Sequence, residues 1–157
     1  MFTICDKIVY PMHGAGIIQG IETQNVLGSD REYYVLKTPY SEMKIMIPVV
    51  NCEQTGVRYV ISQEKVDEVI ETLKAPSTEM NSNWNRRHRE NMDRLKTGDV
   101  IEVAGVLRNL IRIERVKSLS AGEKKMVSNA KKILASELSI VLEISPEAAE
   151  KLICSNI

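Results

Sequence analysis

The spacing of apolar residues changes period near residue 62, and one chain satisfies both periods only by building strands before that point and helices after it. Residues 1–61 hold most of the glycines, with the short runs "KIVYP", "AGIIQGIE", "REYYVLKT" and "MKIMIP" separated by turn signals. "HGAG" and "LGSD" are the clearest of these turns, because Gly tolerates positive φ and Asp or Ser bonds its own backbone. Strands of about 5 to 8 residues without a helical period predict a small antiparallel β barrel of the SH3 or Tudor kind, filled by its own side chains. In "EMKIMIP", alternation places Met43, Ile45 and Ile47 on one face and Lys44 and an exposed Met46 on the other.

Beyond residue 62, "SQEKVDEVIETLK" sets Val66, Val69, Ile70 and Leu73 at helical spacing behind Ser62 as N-cap. "APSTEMNSN" reads as a loop, and "NWNRRHRENMDRLK" as a second helix stopped by Gly98. Asp99 and Glu102 form a capping-box pattern ahead of a buried stripe of Val100, Val103, Ala104, Leu107, Leu110 and Ile111. Ser120 and Glu123 repeat the device before Met126, Val127, Ala130, Ile133, Leu134 and Leu138, and Ser145-Pro146 opens a short last helix. The prediction is an α+β protein: a barrel over residues 1–61 and a compact all-helical domain over 62–157.

With 43% apolar and 27% charged residues, the chain has the composition of a globular protein. No apolar run approaches the ~20 residues of a membrane span, and "MFTICDKIVYP" lacks the apolar core of a signal peptide, so a cytoplasmic protein without a membrane partner is expected. Cys5, Cys52 and Cys154 are widely spaced and read as buried small hydrophobes rather than disulfide or zinc ligands. His13 and His88 have no carboxylate or thiol at metal-ligand spacing and read as turn or surface residues. "HGAG" is too short to cradle a phosphate, and no G-x-S-x-G elbow occurs. The residues therefore predict no enzyme, cofactor, metal or small-molecule substrate.

The net charge is zero, but its distribution is uneven. Residues 1–62 carry five Lys or Arg against six Asp or Glu, whereas residues 108–132 carry eight basic residues against two acidic ones. Residues 83–96 add Arg86, Arg87, Arg89, Arg94 and Lys96 against Glu90 and Asp93. Such clusters suit phosphate neutralisation, or simply a solvated helix face. Among them stands the chain's single tryptophan. Trp84, His88, Met92 and Leu95 fall on one side of a helical wheel, which suits a core residue. A position at the helix start followed by arginines suits instead an aromatic wedge for the DNA minor groove. Spacing leaves both readings open.

The segments "CDKIVYPMHGAGII", "YYVLK", "MKIMIP", "TGVRYVIS", "NWNRRHRENMDRLKTGDVIEVAGVLRNL" and "SLSAGEKKM" together resemble the CarD/CdnL-like bacterial transcription regulators, whose N-terminal module also occurs in transcription-repair coupling factor. The resemblance implies that the Tudor-like barrel binds the RNA polymerase β subunit. It also implies that the helical domain meets promoter DNA at the upstream edge of the bubble, largely independent of sequence and close to the nucleoid. It assigns the minor-groove wedge to Trp84 and DNA-backbone contacts to Arg86, Arg89 and Lys124, with Arg87 a further candidate. Gln24 and Met46 stand where some members have arginine, so an apolar polymerase contact through Met46, near Val35 and Pro48, is expected. Cys5 replaces the glycine of most members and is expected to be neutral. The alternative reading is a polymerase-binding adaptor whose helical half recruits another protein.

Overall fold

The β2–β3 hairpin organises the N-terminal half. In the computed structural model, which describes residues 1–40 and 44–157, strands β1 (Lys7–Tyr10), β2 (Gly14–Val26), β3 (Ser29–Lys37), β4 (Lys44–Pro48) and β5 (Arg58–Tyr59) form one antiparallel sheet. The order is β4-β3-β2-β1-β5. Phe2, Ile8, Ile18, Tyr34, Leu36, Ile47, Cys52 and Val57 close over one face of it, with Ile45 packed at their margin. Met43 lies outside the described residues, and Met46 is half-buried rather than exposed.

The two expected turns have different outcomes. Leu27 and Gly28 both adopt positive φ, 53° and 83°, as a two-residue hairpin turn requires. Because this turn sets the register, the ladder continues through the polar Glu22–Asn25, and β2 reaches 13 residues rather than the expected 5 to 8. The other turn occupies residues 11–13, and Gly14 is already the first residue of β2. His13 is exposed there, stacked on Tyr10 with ring centroids 4.3 Å apart.

The helices are α1 (Gln63–Lys74), α2 (Trp84–Lys96), α3 (Val100–Glu114), α4 (Ala121–Leu142) and α5 (Pro146–Ser155). The hydroxyls of Ser62, Ser120 and Ser145 accept the backbone N–H groups of Lys65, Glu123 and Ala148, and Asp99 accepts that of Ile101. Each such cap contributes about 1 kcal/mol. The reciprocal half of the Asp99 capping box does not form. Glu102 pairs instead with Arg94 at 2.6 Å, and the Asp99 N–H goes to the Thr97 hydroxyl. Helix α3 is buried nearly all round, with the predicted stripe joined by Val106, Arg108 and Asn109.

Residues 11–16 form the joint between the two halves. Pro11 lies so close to Gly98 that a Cβ there would approach its Cγ to 3.0 Å, and Gly98 has φ +74°. Gly14 lies against Ser136, whose hydroxyl accepts the Ala15 N–H at 2.8 Å and donates to the Ile133 carbonyl. Met12 packs against the helical core. Beside it, the buried Glu137 carboxylate accepts both Arg58 nitrogens, at 2.8 and 2.9 Å, and the Ile61 N–H at 2.9 Å. Sheet and helices are thus fastened together through a charged pair and a close backbone approach.

Of the cysteines, Cys52 is buried as expected, Cys154 is half-buried and Cys5 is exposed. Cys5 sits in the turn before β1 with φ 76°, which corrects the expectation of neutrality: a left-handed backbone is unfavourable for any residue bearing a Cβ.

Candidate nucleic-acid interface

Helix α2 begins where a polar loop turns back on itself. Asn81 accepts the Asn83 N–H at 2.8 Å, and Asn83 accepts the Arg86 N–H at 3.2 Å, which makes Trp84 the first helical residue. The wheel stripe then climbs out of the core: Leu95 is buried, Met92 and His88 are half-buried, and Trp84 is 47% exposed. The apolar stripe of the wheel is present at its Leu95 end, and its Trp84 end lies outside the core. The indole stacks on His88 at 5.9 Å and 24°, and its N–H donates to the Ser120 hydroxyl at 3.1 Å.

The charged residues of α2 and of the start of α4 divide into two groups. Arg86 and Arg89 on α2, and Lys124 and Lys125 on α4, are exposed. Arg87 is not part of that set. Its guanidinium makes two 2.9 Å hydrogen bonds to Glu123, with side-chain exposures of 16% and 2%, so it braces α2 against α4. The candidacy of Arg87 for phosphate is corrected accordingly.

The basic excess over residues 108–132 is also partly internal. Arg108 is 3% exposed and donates to the Thr72 carbonyl and to Asn109. Burial, then the neighbouring Arg112 and Arg94, pushes its guanidinium below the ordinary range. Arg112 binds the carbonyls of Leu73, Lys74 and Ala75, the unsatisfied acceptors at the end of α1, and Arg115 binds those of Cys154 and Ile157. The available signal was that these three arginines punctuate an apolar helix, "LRNLIRIER", rather than a polar face.

On the sheet, cross-strand register brings the barrel candidates together. Gln24 faces Arg31, Pro48 faces Tyr33, and Val35 faces both Gly20 and Met46, all on the side of the sheet opposite Tyr34, Leu36 and Ile47. Gln24, Arg31 and Pro48 are exposed and Met46 half-buried. Val35 is 3% exposed and lies across the ladder from Met46, so it is not itself open to a contact. Arg31 escaped the sequence reading because only the hairpin register shows that it lies across from Gln24.

Among the described residues, no group of three or more His, Cys, Asp or Glu side chains could hold a metal ion, and no helix is long and apolar enough to cross a membrane. Two family models match the chain: the CarD-like/TRCF RID domain over residues 2–61 and the CarD C-terminal domain over residues 68–154. A relative in Bacillus subtilis (strain 168), the candidate transcription factor YdeB, is 38% identical over 145 residues, which is 92% of this chain and 95% of the relative.

Proposed function

The chain belongs to the CarD-like family of transcription regulators, which interact with RNA polymerase, and from that premise we propose that it holds the polymerase β subunit with its sheet and promoter DNA with α2 and α4, at the upstream edge of the bubble. One observation carries the DNA half of this reading. A half-exposed indole stands at the first turn of α2, Arg86 and Arg89 are exposed on the same helix, and Lys124 is exposed on α4 one turn beyond the Ser120 that accepts the indole N–H, which is the composition of a minor-groove wedge: an apolar group to open a base step, and cations to hold the backbone.

The physics of the arrangement favours melted promoters without reading sequence. Neither the near-neutral sheet nor a few cations would locate a promoter alone. Tethering a weak DNA contact to a polymerase contact raises its effective concentration to the order of mM. The Arg58–Glu137 pair and the Pro11–Gly98 approach fasten the two contact surfaces at a set separation, so little of that gain is lost to relative motion. Opening a base step costs a few kcal/mol, and least where the duplex already parts. The wedge therefore stabilises the open state by its differential affinity for it.

The test is Trp84→Ala in a promoter assay with purified polymerase. The open-complex lifetime should shorten, while the melting temperature moves little, because the removed ring is half-exposed. An unchanged lifetime would sink the DNA reading and favour the adaptor alternative, in which the helices engage another protein.

A further inference from the structure

Ser120 is the meeting point of a hydrogen-bonded chain that begins in the packed interior and ends on the exposed indole. Arg87 fixes both oxygens of the buried Glu123 carboxylate. The Ser120 hydroxyl donates toward Glu123 Oε1 at 3.4 Å and accepts the Glu123 backbone N–H at 3.2 Å as the cap of α4. Its other lone pair accepts the Trp84 indole N–H at 3.1 Å. One donor and two acceptor sites are all that a hydroxyl has, and here each is in use. With the hydroxyl hydrogen turned toward Glu123, a lone pair is left for the indole.

We propose that Ser120 is the positioning residue of the wedge: it holds the indole in its projecting orientation before any partner arrives, with His88 backing the ring face. An exposed side chain at the first turn of a helix has several rotamers open to it, and ordering it on binding costs affinity. The tether from α4 and the stack on His88 remove much of that freedom in advance. His88 is itself set against α4, its Cε1 3.7 Å from where a Cβ on Gly122 would stand. This inference rests on the wedge reading above and adds to it a residue that touches no partner. It also gives the Arg87–Glu123 pair a second role, since that pair orients the hydroxyl.

Ser120 is also a helix cap, so the informative substitution is Ser120→Gly, which retains nearly all of a cap's contribution while deleting the hydroxyl. Ser120→Thr is the conservative partner. Trp84 is the only tryptophan, so its fluorescence anisotropy decay reports ring mobility directly. In full-length Ser120→Gly the fast depolarising component should grow, and the open-complex lifetime with purified polymerase should fall about two- to tenfold, the range of one neutral hydrogen bond. Ser120→Thr should restore both. Wild-type anisotropy in Ser120→Gly would overturn the proposal, and so would a freed ring with an unchanged lifetime while Trp84→Ala shortens it. If Trp84→Ala itself leaves the lifetime unchanged, the wedge reading fails and the positioning role fails with it.

Discussion

Arg86 and Arg87 are neighbours in the chain and opposites in the fold. The first is exposed; the second is spent on Glu123. Arg86→Ala, like Lys124→Ala, should leave stability within about 0.5 kcal/mol, as at an ordinary surface site. Either change should weaken DNA binding across sequences and reduce the logarithmic salt slope by about 0.9, measured by titration at several ionic strengths. An unmoved slope would reduce these residues to surface charge. Arg87→Ala should act on the fold instead, costing about 3 kcal/mol or more in denaturant unfolding, because it strands a carboxylate that is 2% exposed. At Cys5, whose φ is 76°, replacement by glycine should stabilise the protein by up to about 1 kcal/mol, since the relief of left-handed strain exceeds the added chain entropy.

At the scale of elements, α2 shows how one periodic stripe serves two purposes. Its C-terminal end supplies Leu95 to the core, and exposure rises along the same stripe through Met92 and His88 until Trp84 emerges. The hairpin of β2 and β3 behaves similarly. Its base encloses Ile18 and Leu36, while its distal half continues as a polar ribbon whose register aligns Gln24 with Arg31; β4, paired along the other side of β3, sets Met46 across from Val35. If the polymerase contact uses this face, Met46→Asp should lower polymerase affinity while far-ultraviolet dichroism stays native. Arg31→Ala should lower the salt sensitivity of the same binding. Normal affinity in both would place the interface on another surface.

For the whole molecule, the decisive feature is the joint between sheet and helices. Glu137→Ala removes the acceptor of Arg58 and of the Ile61 N–H. We expect a loss of about 2 kcal/mol, below the 3 to 5 of a wholly buried pair because Arg58 keeps partial access to water. The functional effect should exceed the change in DNA affinity of the free protein, because a loosened joint lowers the effective concentration that the polymerase contact supplies. Calorimetry and the open-complex assay on one sample separate the two. If the lifetime effect only tracked stability, the joint would have no role beyond folding.

Much of this architecture was legible in the order of residues. The change of period at 62, the serine and aspartate caps and the Gly98 stop are local, and local rules decide them. Long-range contacts decided the rest. Glu102 and Glu123 stand at equivalent places behind their caps, and each is taken up by an arginine of α2, Arg94 and Arg87 respectively, which no local rule announces. Gly14, read as part of a hairpin turn, lets the sheet approach α4, and arginines counted as free charge bind the carbonyls at helix ends. The sequence by itself determined which segments are strands and helices, because that depends on neighbours a few residues apart. Tertiary structure alone decided which cations remain free and that Trp84 stands outside, because both depend on partners some 36 positions away in the chain.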